Sequence, residues 1–150
     1  MHLQIREANK FDMPSLLNML HAYSLATPLE FLKSAWDVEY ATKILTDAMS
    51  GRGLVLVAEK TEPVGMLIAT INPSQWQLNK YLMTELAYWV NPEHRGSTAG
   101  YRLLKAYQQK GQELKESKRI ENFLISKMCN SPDLKFDKFG FSKLEEFWVQ

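Results

Sequence analysis

Glu85-Leu86-Ala87-Tyr88-Trp89-Val90-Asn91-Pro92-Glu93-His94-Arg95-Gly96-Ser97-Thr98-Ala99-Gly100-Tyr101-Arg102-Leu103-Leu104 is the stretch that decides how this chain is read. It begins as the end of an apolar strand over residues 82–90, which Asn91-Pro92 stops. A turn over residues 93–97 follows, and then a long helix over residues 98–115, with Leu103, Leu104, Ala106 and Tyr107 on its apolar side. The first N–H groups of a helix have no acceptor inside it, and the helix dipole adds partial positive charge there. Such a helix start is an anion site. Small residues at Gly96, Ser97, Ala99 and Gly100 let a ligand come close to the main chain. The plain alternative is an ordinary strand-to-helix turn capped by Ser97 or Thr98. The segment is not a Walker A loop, since the Gly-Lys-Ser/Thr ending is missing, and it lacks the three spaced glycines of a dinucleotide fingerprint.

Outward from this centre the pattern alternates strands and helices. Leu3 and Ile5 fit a first strand. Asp12 with Pro14 reads as the start of a helix carrying Leu16, Leu17, Met19, Leu20 and Tyr23 to about Ser24. Residues 25–36 are irregular, and Asp37 caps a second helix with Tyr40, Ala41, Ile44, Leu45 and Ala48. Leu54-Val55-Leu56-Val57-Ala58 and the apolar run from Val64 to Ile71 are strands joined by Thr61-Glu62-Pro63, hence an antiparallel hairpin. Asn72 to Lys80 is a polar loop containing Trp76, a candidate lid. Downstream, residues 120–128 read as a strand. Ser131-Pro132-Asp133 reads as a helix start, with that helix ending at Gly140, and residues 141–149 read as a last strand. The order β-α-α-β-β-β-α-β-α-β gives one α/β domain over residues 1–150. The last strand also offers a means of pairing or exchange in a homodimer.

Composition sets the class. Hydrophobic residues make up 45% and charged residues 23% of the 150 residues, as in an ordinary globular protein. Cys129 is the single cysteine, so neither an internal disulfide nor a multi-cysteine zinc site is available, and no metal is expected. The net charge of +1 argues against a general nucleic-acid binder. No apolar run reaches the ~20 residues that cross a bilayer, and the N-terminus lacks a signal-peptide core, so a cytoplasmic protein is expected with no membrane partner. Charge is uneven: residues 1–94 carry seven basic and ten acidic residues, residues 95–150 eleven and seven. The basic half suits a small polyanion.

At this point the sequence resembles the GNAT superfamily of acyl-CoA-dependent N-acetyltransferases. The family signature, Gln/Arg-x-x-Gly-x-Gly/Ala at a helix start after the fourth strand, reads here Arg95-Gly96-Ser97-Thr98-Ala99-Gly100. The preceding Val90-Asn91-Pro92-Glu93-His94-Arg95-Gly96 is close to the family's Val-x-Pro-x-x-Arg-Gly run. A second block, Asn130 and then Phe136-Asp137-Lys138-Phe139-Gly140-Phe141, falls where the family has Asn and then Tyr-Glu-Lys-Leu-Gly-Phe. The resemblance implies a three-layer α/β (α+β) fold with a mixed, mostly antiparallel sheet flanked by helices. It also implies an enzyme using acetyl-CoA as co-substrate and a small-molecule or peptide amine as acceptor, by direct attack in a ternary complex.

The resemblance also implies roles. The amides of Gly96, Ser97, Thr98, Ala99, Gly100 and Tyr101, with Arg95 at the head of the signature, would cradle the CoA diphosphate. Tyr88, Trp89 and Val90 would pair their backbone with the pantetheine arm like an added strand. Asn130 would hydrogen-bond the arm, with Cys129 as its competitor one residue away. Glu85 is the candidate general base, directly or through water, against the alternative of a solvated carboxylate. By period two it shares a strand face with Ala87 and Trp89.

Two positions depart from the family pattern. Thr98 replaces the usual first glycine, with a hydroxyl able to donate to a phosphate. Phe136 stands where many members carry a tyrosine that returns a proton to the CoA thiolate, and Phe has no proton to give. Three readings follow: another group or a water protonates the thiolate, the thiolate leaves as such, or the chain is a CoA- or anion-binding or interaction module with weak or no catalysis. Cys129 reads as a buried structural thiol, His21 as a packing residue and His94 as an exposed turn residue. Tyr23, Phe31, Trp36, Tyr40, Trp76 and Tyr81 are candidate walls of the acceptor site.

Overall fold

The two apolar runs joined at Thr61-Glu62-Pro63 form the middle of the sheet. In the computed structural model, which describes residues 2–132 and 134–150, they are β2 (Gly53–Glu59) and β3 (Pro63–Pro73), paired antiparallel. β1 (Gln4–Glu7) pairs antiparallel with β2, and β4 (Tyr81–Val90) antiparallel with β3. β5 (Asn122–Leu124) runs parallel to β4, so the sheet order is β1-β2-β3-β4-β5. A parallel neighbour requires a crossover. Helix α4 (Ala99–Glu116) supplies it. Helices α1 (Met13–Leu25), α2 (Glu30–Ser34) and α3 (Val38–Asp47) lie between β1 and β2 in the chain.

Alternation along β2 and β3 sends side chains to two separate cores. Leu16 and Met19 of α1 and Leu45 of α3 pack on Val55, Val57, Met66 and Ile68. On the opposite face Leu103 and Tyr107 of α4 pack on Leu54, Leu56, Leu67 and Ala69. The result is the expected three-layer α/β fold with a mixed sheet. Burying a leucine of this kind contributes about 1.5–3 kcal/mol, and Leu16, Leu45 and Leu103 are all fully buried. No helix among the described residues is long and apolar enough to cross a membrane.

Local signals hold in some places and fail in others. Asp37 caps α3 as expected, accepting from the Tyr40 N–H at 3.1 Å. Asp12 does not cap α1. Asn9 instead opens a short 3-10 turn with a reciprocal capping box to Asp12. Asp12 is buried and paired with Arg6 at 2.8 Å, and that guanidinium, which also holds Glu59 at 2.7 Å, pulls the Asp12 carboxyl below its usual range. Residues 30–34, read as irregular, form α2.

The C-terminal expectations need correction. The strand expected over residues 120–128 shrinks to Asn122–Leu124. The helix expected from Ser131 is only a 3-10 turn over Phe136–Phe139, and Asp133, expected in its first turn, lies outside the described residues. The last strand does not form, and residues 142–150 are exposed coil. Strand propensity is realised only against a partner, and beyond Phe141 this segment has none within the chain.

Gly111 fixes how closely α4 approaches β5. A Cβ there would lie 2.5 Å from ring atoms of Phe123. That ring is held edge-on between Tyr107 and Phe141, with centroids 5.6 Å away in each case. Gly111→Ala gains about 1 kcal/mol of helix propensity but overpacks by roughly 1–3 kcal/mol. The expected outcome is a net loss of stability of up to about 2 kcal/mol and a Tm lower by up to roughly 8 °C. Thermal melting tests this, and an unchanged or raised Tm would show that Phe123 yields freely.

Candidate functional site

β4 and β5 stay together only from Leu82↔Asn122 to Thr84↔Leu124 and then part. From Glu85 onward, β4 keeps β3 on one edge and has no strand on the other among the described residues. At the same point β4 carries a bulge. Ala69 pairs with Glu85 and Ile68 with Ala87, so Leu86 is the extra residue. A bulge re-aims the side chains beyond it. Directly paired residues share a face. Glu85 therefore points with Ala69 toward α4, whereas Ala87 and Trp89 point with Ile68 and Met66 toward α1. This corrects the period-two expectation that placed Glu85, Ala87 and Trp89 on one face.

Glu85 sits in the fork and is 5% exposed, not solvated. Its Oε1 accepts from both the backbone N–H and the hydroxyl of Ser126, each at 3.0 Å. Burial raises its pKa above the ordinary glutamate value, and the two Ser126 donors pull the other way. Three tyrosines surround this charge. Tyr23 comes from α1, Tyr88 from β4 and Tyr107 from α4. Burial raises the pKa of each hydroxyl, and the negative charge on Glu85 raises it further. The Tyr107 hydroxyl donates to the Leu124 carbonyl at 2.6 Å, and Tyr23 meets Trp89 edge-on at 6.4 Å. Sequence reasoning missed Ser126 and the tyrosine ring around Glu85. Ser126 adjoins a strand end, a place where an exposed serine carries no signal of its own.

The free edge of β4 leads to the start of α4. Thr98 takes the N-cap position but makes no side-chain cap. Ser97 is bonded instead: its N–H and hydroxyl donate to the His94 carbonyl, and its Oγ accepts from the Ala99 N–H at 3.2 Å. Of the six amides expected to cradle an anion, those of Ser97 and Ala99 are thus engaged. Those of Gly96, Thr98, Gly100 and Tyr101 have no acceptor among the described residues. A Cβ on Gly96 would meet nothing within 4 Å, and one on Gly100 would only touch the Tyr88 hydroxyl at 3.4 Å and Val90 at 3.8 Å. The Tyr88 hydroxyl donates to the Gly100 carbonyl, tying β4 to the first turn of α4. Arg102 binds the Leu3 carbonyl at 2.6 Å and anchors the same turn to the N-terminus. Open amides beside an unpaired strand edge fit a ligand with a diphosphate and a peptide-like arm.

Arg95 turns back from this cradle. Its guanidinium lies 4.5 Å over the Trp89 ring, and its Nε donates to the Val90 carbonyl at 2.8 Å. The Val90 carbonyl is therefore not free to pair with an added strand. The indole of Trp89 donates to Asn91 at 3.0 Å. Asn130 reaches across the fork to the Ala26 carbonyl at the end of α1, at 3.1 Å. Phe136 packs on Phe141 at 6.1 Å, and Tyr101 packs on Phe139 at 5.4 Å.

Other expected residues divide. His21 stacks on Trp36 at 4.5 Å, a packing role. Cys129 is exposed, against the expectation of a buried thiol, because the loop after β5 leaves the core. Of the candidate acceptor walls, Tyr23 is near Glu85. Tyr81 opens β4 at the end remote from the bulge, and Trp76 in the loop before it is 91% exposed, so neither joins the fork. Two hollows of about 380 and 460 Å³ lie elsewhere, by the end of α4 and beside β1.

Comparison with known proteins agrees with this architecture. The model of the acetyltransferase (GNAT) family matches residues 16–141. A transcriptional regulator from Bacillus halodurans C-125 superposes with a TM-score of 0.72 at 20% identity, covering 99% of each chain. A glucosamine-6-phosphate N-acetyltransferase from Arabidopsis thaliana superposes at 0.70 and 12% identity, covering 100% of this chain and 98% of that one. A predicted acetyltransferase from Clostridium acetobutylicum, solved with acetyl-CoA, superposes at 0.67 and 12% identity, covering 99% and 96%. At these identities the likeness is one of fold. No curated protein sequence matches the chain.

Proposed function

Because the chain belongs to the acetyltransferase (GNAT) family, we propose that it moves an acetyl group from acetyl-CoA to an amine acceptor by direct attack in a ternary complex. The observation that carries this reading is the fork itself. A buried carboxylate, Glu85, stands where β4 parts from β5, and the free edge of β4 runs from there to the open amides of α4. When bound, acetyl-CoA supplies an activated acyl thioester. The free amides of Gly96, Thr98, Gly100 and Tyr101 would hold its diphosphate. The unpaired edge at Tyr88 and Trp89 would hold its arm in the manner of an added strand.

The chain's own groups divide the remaining work. An ammonium acceptor must lose a proton before its lone pair can attack a carbonyl. Glu85 takes that proton, directly or through one water. Its raised pKa brings it closer to the operating pH, where a base is most effective. Ser126 is a positioning residue that orients Oε1 and favours the ionised carboxylate against the effect of burial. Ser126→Ala removes one donor and lets burial act more strongly on Glu85. The expected outcome is that the acidic limb of the kcat/KM profile moves to higher pH while the acetyl-CoA affinity stays unchanged. A pH–rate profile without movement would leave Ser126 a purely structural neighbour.

Phe136 favours a second reading, a GNAT-fold module that binds CoA or another anion without efficient chemistry. Its ring packs on Phe141 and offers no proton. Two measurements separate the readings. Acetyl-CoA raises Tm in both, since a ligand that binds only the folded state stabilises it. Free thiol released with a panel of amines marks the enzyme. A melting shift with no thiol release from any amine selects the module, and no shift at all removes both.

A further inference from the structure

With the acetyl-CoA reading as its premise, we propose that Arg95 guards the free edge of β4 and so makes the site select thioesters that carry a diphosphate over acyl-pantetheine arms that lack one. The register of β4 shows which groups the edge offers. Val90 pairs with Gly65, and the next residue, Asn91, donates its N–H to the Val64 carbonyl at 2.8 Å. Along an antiparallel pair, residues that exchange hydrogen bonds alternate with residues whose backbone groups turn away from the partner strand. Asn91 faces β3, so Val90 turns its own N–H and carbonyl outward, and Tyr88, two residues back, does the same. An added strand or a peptide-like arm must bind these outward groups. The Val90 carbonyl is already taken, because the Arg95 Nε donates to it at 2.8 Å.

The contact is held from a second side. The guanidinium carbon stands 4.5 Å from the centre of the Trp89 ring, where a cation is attracted to the ring face. The indole N–H is itself fixed on Asn91 at 3.0 Å, which sets the orientation of that ring. Among the described residues Arg95 has no carboxylate partner to draw it elsewhere. Arg95 thus covers the last outward acceptor of β4, at the point where the strand edge meets the turn with the free amides of Gly96, Thr98, Gly100 and Tyr101. An arm alone offers an amide N–H, a weaker donor than a guanidinium, and does not displace it. A phosphate on the Gly96 amide would lie beside the residue next to Arg95 and give the guanidinium a charged, planar-fork acceptor. Arg95 then moves from the Val90 carbonyl to the phosphate, and an amide of the arm takes that carbonyl. Capture of the diphosphate therefore precedes seating of the arm.

The test follows Arg95 itself rather than turnover. Acetyl-CoA is titrated into the full chain carrying isotope-labelled arginine, with Tm measured in parallel. Without ligand, the Nε–H signal of Arg95, identified by its absence in Arg95→Lys, should be displaced upfield by the Trp89 ring and should exchange slowly with water. Saturating acetyl-CoA should remove both signs. S-acetylpantetheine has the thioester and the arm but no phosphate. Arg95→Ala should bind it about tenfold more tightly than the wild type does, the ratio for one exposed charge-assisted hydrogen bond, and should bind acetyl-CoA no more tightly. Two results would each overturn the proposal. One is an Nε–H signal that keeps its place in a chain whose Tm acetyl-CoA has raised. The other is S-acetylpantetheine binding that is equal, or absent, in the wild type and Arg95→Ala. Either leaves the acetyltransferase reading standing. A Tm that acetyl-CoA does not move removes that reading, and the guarding role of Arg95 falls with it.

Discussion

Gly100→Glu should abolish the stabilisation that acetyl-CoA gives the wild-type chain without harming the fold. At a ligand concentration one hundred times Kd, a ligand that binds only the folded state adds about 2.7 kcal/mol. For a domain of this size that is a Tm shift of roughly 5–10 °C. A Cβ at position 100 makes only ordinary contacts with Tyr88 and Val90, at 3.4 and 3.8 Å. A carboxylate in the first turn of a helix is itself favourable by about 0.3–1 kcal/mol. The unliganded variant should therefore melt no lower than the wild type. The same carboxylate places negative charge among the free amides of Gly96, Thr98 and Tyr101 and competes with a diphosphate for them. Stability and binding thus move in opposite directions, which separates a blocked cradle from a damaged fold. Gly100→Ala, with the same Cβ and no charge, is the control and should retain most of the shift. A wild-type-sized shift in Gly100→Glu would mean that the diphosphate does not lie at the start of α4.

Glu85→Gln should lower kcat by about 10²–10⁴-fold, the usual contribution of a positioned base, and leave acetyl-CoA affinity as it was. Gln keeps an oxygen to accept from Ser126, so the fork should keep its shape. The substitution has a second readout with a definite sign. Burial raises the pKa of Glu85 in the folded state. Between the ordinary value of 4.5 and that raised value, the folded chain retains a proton that the unfolded chain has lost. Stability from this group then falls as pH rises through the interval. Glu85→Gln cannot titrate, so its Tm should lack that fall and exceed the wild-type Tm above the interval. Loss of turnover together with this flattened pH–stability curve identifies a buried, titrating base. Unchanged turnover would take the role away from Glu85 and leave only the stability effect.

Much of the fold was legible because single residues carried local signals strong enough to act alone. Thr61-Glu62-Pro63 marked the β2–β3 hairpin, Asp37 marked the start of α3, and Leu103, Leu104 and Tyr107 marked the buried face of α4. The place where strand gives way to helix after Asn91 was equally plain. The bulge was not, since Leu86 is apolar in an apolar run and period two gives no sign of an inserted residue. Asp12 misled because an acidic residue before Pro14 looks like a cap, whereas Arg6 in β1 claims it. The segment after Phe141 misled for the opposite reason. Its apolar residues are those of a strand, but pairing is a property of two segments, and one chain alone leaves this one exposed. At the site, Glu85 could be read from its strand. Its partner Ser126 lies 41 residues away, on a contact that no local pattern encodes.

Leu86 has one more consequence. Before it, odd-numbered residues such as Met83 and Glu85 look toward α4. After it, even-numbered residues such as Tyr88 and Val90 do. The strand thus contains a parity boundary, and what maintains it is the number of residues rather than the chemistry of any one of them. A conservative exchange at position 86 leaves both halves in phase. Removing that one residue would leave Glu85 opposite Ala69 and Ala87 opposite Ile68, erasing the boundary with every other side chain on its present face, whereas removing any other residue within the strand would turn one half over. Natural variation in this strand should therefore tolerate loss of the residue at position 86, while other losses or gains of a single residue are confined to the loops at its two ends.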